Sequence, residues 1–361
     1  MPISIRIEIE PKWRFKRDGE PASSLVMLDL LNNIQVTGKI SRAAARAGLS
    51  YRHAWNLIEK WSEFFEVPLV ERRRGSGTSL TALGEKLVLA GQSLEARLGT
   101  QLRNLSQELE TEINQLLPRG HSIIRIQATH GFAVSTLRKL VMREENLSVD
   151  LRYVSHQNLL VALAQDECDL AGMHLPRGEL REKIIGAPEA GLIPNVHRVI
   201  GLVTREMGLM VQRGNPLGIV SLEELVGRPV RFVNRDPDSG TRRLFDQLLA
   251  QSRLDASAIT GYQHVEFTHS AVAAHVASGM ADVSFGVEAA ARKFDLDFVP
   301  LVTEDYFFVC RKQILEQDAM KRVLAVMRGE KFREAISKLP GYKSSDAGTV
   351  KTIEDAFQEN A

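Results

Sequence analysis

The hydrophobic periodicity of this chain changes once, near residue 118, and that change constrains its architecture more than any other feature. From 122 to 310, short strand-like runs alternate with helical ones: IIRIQA, VDLRYV, CDLAGM, RVIGLVT, GLMVQ, PVRFV, ADVSFGV, DFVPL and YFFVC. Such alternation predicts an α/β region with mostly parallel strands. From 24 to 117 the pattern is helical, apart from an interruption at 67–80. Pro118, Arg119 and Gly120 form the joint. The chain of 361 residues is long enough for more than one core.

The first region has the plan of a helix-turn-helix. Residues 24–34 (SLVMLDLLNNI) predict an amphipathic helix, and a turn with Gly38 follows. Ser41 is placed to cap RAAARAG, which ends at Gly48. Ser50 is placed to cap YRHAWNLIEKWSEFF. Ala54, Ile58, Trp61 and Phe65 recur at helical spacing and should face a core, leaving Tyr51, Arg52, Asn56 and Lys60 largely elsewhere. In this plan the second helix enters the DNA major groove, so Ser41, Ser50, Tyr51, Arg52, His53 and Asn56 are DNA-binding candidates. The interruption reads as a hairpin with Gly75-Ser76-Gly77 at its tip. Arg72, Arg73 and Arg74 would then be cations of a wing beside the phosphates.

Thr81 is a plausible cap for the next helix. Leu83, Leu87, Leu94, Leu98, Leu102, Leu105, Leu109, Ile113 and Leu116 recur at steps of three, four or seven, a stripe suited to a helix–helix seam. A homodimer is expected, since helix-turn-helix proteins bind paired half-sites; pairing into tetramers stays open. Residues 1–20, in which Ile3, Ile5, Ile7 and Ile9 alternate before Trp13 and Phe15, predict a strand pair turning at Asp18-Gly19.

GKISRAAARAGLSYRHAWNLIEKW, with LVERRRGSGTSLTALGEKLV after it, resembles the winged-helix DNA-binding domain of the molybdate-responsive ModE regulators, which is related to the LysR type. The stretch Ser50-Tyr51-Arg52-His53-Ala54-Trp55 is its most specific part. The resemblance covers roughly residues 1–115. ModE regulators usually carry small β-barrel molybdate modules, and residues 122–361 do not have that pattern.

In parallel α/β folds, ligands bind beyond the carboxyl ends of strands, where helix N-termini present free N–H groups to anions. Polar groups at predicted strand ends are therefore ligand candidates: Thr129, His130 and Gly131; Ser155 and His156; His174; Asn234 and Arg235; and Thr268 and His269. Ser239, Gly240, Thr241 and Arg242 open the helical run DSGTRRLFDQLL. His275, inside a helical run, is expected to be structural. LLVALAQDECDLAGMHL, NRDPDSGTRRLFDQLL and HSAVAAHVASGMADVSFGVEAAARKFDLDFVPL resemble the periplasmic-binding-protein-like domain fused to regulators and to some molybdopterin-biosynthesis proteins. That family implies two α/β lobes joined by crossing strands, with the ligand in the cleft. Its first-strand motif is commonly serine-histidine-aspartate; here Thr129-His130-Gly131 lacks the carboxylate. The lobes are expected at 122–195 plus the segment from about 305, and at 200–300.

The expected architecture is multidomain α/β: a winged helix-turn-helix at 1–80, a linker and dimerisation helix at 81–118, and a two-lobed ligand-sensing domain at 119–361. The expected function is ligand-responsive transcriptional regulation. Its partners would be a double-stranded DNA operator and a small anion, either molybdate or tungstate or a small carboxylate such as formate. No other cofactor and no metal is expected. An enzyme using His130, His156 and Asp169 as acid–base groups is the first alternative, but nucleophile motifs, phosphate loops and metal spacings are lacking. A DNA-binding protein with a non-sensing second domain is the other.

Composition agrees. Lys and Arg number 46 and Asp and Glu 45, which excludes a wholly basic nucleic-acid coat and an acidic disordered tail. Cys168 and Cys310 sit in apolar runs and suit buried thiols. The start lacks a signal-peptide core and no run has transmembrane length, so no membrane partner and a cytoplasmic location are expected.

Overall fold

A computed structural model describes residues 5–11, 13–17, 20–23, 25–73, 77–115, 122–145, 147–181 and 192–358. Contacts divide the chain into two units: Ile9–Gly99, and Thr100–Ala361 together with Met1–Glu8.

The smaller unit holds a strand pair, β1 (Arg14–Arg17) and β2 (Glu20–Ser23), then α1 (Leu25–Thr37), α2 (Ile40–Arg46), α3 (Tyr51–Phe65), and the antiparallel hairpin β3 (Val70–Arg73) and β4 (Gly77–Leu80). The strand pair lies later than the alternating isoleucines predict: residues 5–11 form no strand. Alternation marks an extended segment but does not supply a partner edge; instead the Ile7 backbone N–H donates to Glu110 Oε1 at 3.0 Å within the larger unit. Met27, Leu30, Leu31, Ile34, Ala43, Ala44, Ala54, Ile58 and Trp61 form the core of the smaller unit. Phe15 of β1 packs edge-on against Trp61 and Phe65.

Local signals set most of these boundaries. Ser50 Oγ accepts from the His53 N–H at 3.2 Å, capping α3 as expected. Gly38 and Gly48 take positive φ at the two turns. Ser41 is not a cap, however: α2 starts one residue earlier, at Ile40, after Lys39. Ile40 is buried in the core, which draws the backbone into helix before the serine. Thr81 Oγ1 accepts from the Gly84 N–H at 3.2 Å at the start of α4 (Ala82–Gln115). The division between the units falls inside this helix, at Gly99. The expected joint at 118–120 lies outside the described residues.

The larger unit is built on one ten-stranded sheet. One half contains β5 (Ser122–Ala128), parallel to both β6 (Leu147–Tyr153) and β7 (Leu170–Pro176). The other contains β9 (Phe232–Arg235), parallel to both β10 (Val265–Glu266) and β11 (Val283–Val287). Two 15-residue strands, β8 (His197–Val211) and β12 (Asp297–Arg311), run antiparallel through the middle. Strand β11 pairs with the end of β8, and β7 pairs with the end of β12, so these two strands pass from one lobe to the other. The crossings are thus two long continuous strands. Short β13 (Tyr342–Lys343) and β14 (Val350–Lys351) add to β8.

Helices follow the parallel strands: α5 (Phe132–Val141) after β5, α6 (His156–Ala164) after β6, α7 (Gly240–Gln251) after β9, α8 (His269–Ala277) after β10 and α9 (Glu288–Lys293) after β11. The C-terminal part adds α10 (Asp318–Arg328), α11 (Glu330–Ser337) and α12 (Ile353–Gln358). Every residue of β7 is buried, as expected for a strand in the middle of a covered sheet. Cys168 and Cys310 are buried free thiols, and desolvation raises them to about 11 and about 12.

Candidate functional site

In the smaller unit α3 presents an exposed polar face. Ala54, Ile58 and Trp61 turn α3 into the core, and Tyr51, Arg52, His53, Asn56 and Lys60 are left exposed on it. Ser41 is exposed on α2 and Ser50 just before α3. The hairpin β3–β4 is anchored to the turn before α2, where the Thr78 N–H donates to Gly38 O at 2.8 Å. A Cβ on Gly77 would stand 2.3 Å from the same oxygen, so this approach requires glycine. Arg72 and Arg73 lie on β3 with side chains outside the description, and Arg74 lies wholly outside the described residues.

The larger unit contains a buried polar cluster at the point where β8 and β12 pass between lobes. Arg205 and Glu304 are register partners there, and each is 1% exposed. Arg205 Nε and Nη2 lie 2.9 and 2.7 Å from Glu304 Oε2. His174 Nδ1 lies 3.0 Å from Glu304 Oε1. Because that carboxylate is held ionised, the imidazole is the donor. The Tyr306 ring stacks on His174 at 5.8 Å, and its hydroxyl donates to Thr129 O at 2.9 Å. Gly240, at the start of α7, faces His174 so closely that a Cβ would meet its Cε1 at 2.4 Å. The first lobe's β7 and the second lobe's α7 therefore meet at this histidine.

Buried donors in this cluster exceed the acceptors among the described residues. Arg235 is buried; its Nη2 donates to Phe267 O at 2.8 Å, while its Nε and Nη1 have no acceptor among the described residues. Arg205 Nη1, His130 Nδ1 and His269 Nδ1 are likewise buried without a partner. Desolvation, then the pull of Asp236 and the repulsion of Arg205, leave Arg235 at about 10. Desolvation and the neighbouring guanidiniums of Arg103, Arg235 and Arg205 push His130 down to about 3. His269 and His174 are also lowered, burial being the largest cause. Glu304 is raised by desolvation but lowered more by His174 and Arg205, to about 2. At neutral pH the centre therefore holds neutral imidazoles, the buried guanidiniums of Arg205 and Arg235 and the Glu304 carboxylate, with Asp236 at its edge, 4.0 Å from Arg235 Nη2. Buried donors left without acceptors are costly, so this arrangement suits an incoming hydrogen-bond acceptor, and the guanidiniums favour one that is negatively charged.

The sequence-predicted residues divide into two groups. Thr129, His130, Gly131, His174, Arg235, Gly240, Thr241 and His269 lie at or beside the cluster; Thr241 Oγ1 is 3.4 Å from His269 Nε2. The others have structural partners. Ser239 Oγ accepts from the Arg242 N–H and Thr268 Oγ1 from the Ala271 N–H, both as helix caps. Asn234 Oδ1 accepts from the Arg235 N–H. Arg242 Nε pairs with Asp246 at 3.0 Å, and its guanidinium lies 3.9 Å from the centroid of the Tyr262 ring. Ser155 precedes α6 without capping it, and the His156 side chain lies outside the description. Asp169 is held by Arg125 through three hydrogen bonds, and His275 Nδ1 lies 3.4 Å from Glu266. Sequence reasoning missed Arg205, Glu304, Tyr306 and Arg103. The signal for the first two was available: Thr-Arg-Glu and Thr-Glu-Asp interrupt two otherwise apolar strand runs, and charges inside a strand that is to be buried call for partners.

Residues 137–328, just over half of the chain, match the PBP superfamily domain. The chain belongs to the PBP superfamily. Residues 25–85 match the bacterial regulatory helix-turn-helix protein family of the lysR type. The chain thus joins a LysR-like, ModE-like winged helix to a periplasmic-binding-protein-like domain. Among its relatives, the uncharacterized protein YvgK of Bacillus subtilis (strain 168) is 31% identical over 55% of this chain and 64% of its own length. The chain therefore spans less than two thirds of YvgK. The molybdenum-pterin-binding protein MopA of Rhodobacter capsulatus is 30% identical over 59% of this chain and 74% of its own. The transcriptional regulator ModE of Yersinia pestis is 44% identical over 16% of this chain and 24% of its own. The crystal structure of full-length BenM aligns at 16% identity with a TM-score of 0.42, covering 86% of this chain and 95% of that one. No helix of the described residues is long and apolar enough to cross a membrane.

The buried histidines give a pH dependence with a definite sign. Folded His130 titrates at about 3, against an ordinary 6.5. Between those values the unfolded chain binds the proton and the folded chain does not, so stability falls as pH drops through this window. Glu304 acts in the same direction lower down: its contribution is complete above 4.5 and is lost as pH falls towards about 2. Urea unfolding of the full chain should thus show stability decreasing from pH 7 to pH 5, and His130→Gln should flatten that decrease. An unchanged slope in the variant would count against a neutral buried His130.

Proposed function

We propose that this chain is a ligand-responsive, DNA-binding transcriptional regulator of the cytoplasm, not an enzyme, and that its effector is a small anion. The observation that carries this reading is the buried Arg235, whose Nε and Nη1 hydrogens have no acceptor among the described residues, next to an Arg205 whose charge Glu304 already offsets. Guanidinium groups only donate, which matches a ligand that only accepts. Molybdate and tungstate fit that description, and so does a small carboxylate such as formate. The names of MopA and ModE favour the molybdenum group. The enzyme alternative loses support because Asp169 is taken up by Arg125 and His130 is held neutral well below physiological pH.

The exposed face of α3 and the hairpin β3–β4 are proposed to contact a DNA operator, the helix in the major groove and the hairpin arginines on phosphates. A homodimer is proposed through α4. Leu105, Leu109 and Ile113 lie exposed along it, and an apolar row of this kind suits a partner helix.

Three outcomes test these proposals. Calorimetry with molybdate, tungstate, sulfate and formate should find one that binds with micromolar or tighter affinity. Arg235→Ala should weaken it by about 1.5–3 kcal/mol, the range for hydrogen bonds to charged groups. Arg242→Ala should leave that affinity nearly unchanged, because its guanidinium is occupied by Asp246. Equal losses in the two variants would place the ligand elsewhere. For DNA, changing Arg72, Arg73 and Arg74 together to Ala should weaken binding to all sequences and shrink its salt slope by roughly 0.9 per lost phosphate contact. An untouched slope would remove the hairpin from the interface. For assembly, Leu98→Glu with Leu105→Glu should shift the protein towards monomer in light scattering. A double variant that stays dimeric would put the interface off this stripe.

A further inference from the structure

Arg103 connects the linker helix to the cluster. It stands on α4 within the larger unit, and its Nη2 lies 3.3 Å from His130 Nε2. Arginine can only donate, so His130 Nε2 must be the acceptor in this pair, which leaves the imidazole proton on Nδ1. That Nδ1 is buried and has no partner among the described residues. Arg103 thereby makes His130 into a directed donor with no acceptor among the described residues. Tyr153 lies beside both groups, its ring 5.1 Å from His130 and 5.9 Å from the Arg103 guanidinium carbon.

The neighbouring turns of α4 fix it to the same region. Asn104 donates from Nδ2 to Tyr153 O at 2.9 Å and accepts from the Tyr153 N–H at 3.1 Å. Gln107 Oε1 accepts from Arg138 of α5 at 2.9 Å. Arg103 Nη2 also donates to Thr100 Oγ1 at 3.2 Å, but its Nε is buried without a partner among the described residues, so its guanidinium is not saturated by these packing contacts. The helix that carries Arg103 is unbroken from Ala82 to Gln115, and its first turns supply Leu87 and Val88 to the core of the winged-helix unit.

We propose that Arg103 is a positioning residue of the anion site supplied by the linker helix: it fixes the tautomer of His130, so that a ligand engaging His130 is sensed directly by the helix that continues into the DNA-binding unit. This rests on the anion-effector reading above. It gives the regulator a coupling element with two ends: the hydrogen bond at His130 reports whether Nδ1 has found an acceptor, and α4 carries the change.

The test uses the full chain with its histidines labelled with nitrogen-15 and the His130 signals assigned by their loss in His130→Gln. Wild type should show the Nδ1-protonated tautomer. Arg103→Ala should release it to a mixture, and Arg103→Lys, which also only donates, should restore it. In Arg103→Ala, molybdate affinity should drop roughly 10-fold, the effect of about 1.4 kcal/mol. The change that molybdate causes in affinity for a duplex selected from a random pool by the wild-type protein should also vanish, while Arg103→Lys keeps both. A His130 that stays Nδ1-protonated in Arg103→Ala, or an Arg103→Ala protein that still responds to molybdate on DNA as wild type does, overturns the proposal. If wild type binds none of molybdate, tungstate, sulfate or formate, the effector reading fails, and a tautomer locked in wild type but released in Arg103→Ala then supports the positioning role by itself.

Discussion

The ion pair between Arg205 and Glu304 sits where two 15-residue strands change lobes, and each side chain is 1% exposed. Neither charge could be kept there alone, since removing one partner of a buried pair costs about 3–5 kcal/mol. Glu304 also takes the proton-bearing nitrogen of His174, whose ring packs against the opening turn of α7 and stacks on Tyr306. Both lobes are therefore referred to one carboxylate. Its position on the crossing strands places the surrounding guanidiniums and imidazoles at a shared centre rather than on one lobe.

That centre has an electrostatic character of its own. Glu304 offsets Arg205, Asp236 approaches Arg235 from the edge, and burial together with the two guanidiniums keeps the histidines neutral. Neutral histidines donate hydrogen bonds without adding charge repulsion, while Arg235 keeps two nitrogens without an acceptor among the described residues. A polar interior with unsatisfied donors is a poor solution for stability alone, because each unmade buried hydrogen bond costs on the order of 1–3 kcal/mol. It is a reasonable solution for a site that a ligand completes.

Much of the architecture was legible in the residues. Ser50 and Thr81 cap the helices that their spacing indicated, and Ala54, Ile58 and Trp61 face the core as their periodicity required. Local hydrogen bonding and amphipathic spacing set these features, and both depend on neighbours in sequence. Thr129, His130, His174 and Arg235, singled out as polar groups at strand ends, lie at or beside the buried cluster. Arg242 shows where such reasoning stops. It opens a helix beside these residues, yet Asp246, one turn later, and the Tyr262 ring occupy its guanidinium. The early isoleucines show the same limit: alternation described an extended segment, but pairing needs an edge to pair with.

The sequence by itself determined the order of the elements, the helix-turn-helix with its hairpin, and the polar strand ends of the α/β region. These follow from periodicities of 3.6 and 2, from capping residues, and from the glycines at turns. Only the tertiary structure decided which charges meet. Arg205 and Glu304 lie 99 residues apart, and Arg103 and His130 lie on a linker helix and a strand end. Pairing of that kind is set by strand register and by how helices pack on the sheet, through contacts between distant segments that no local pattern encodes.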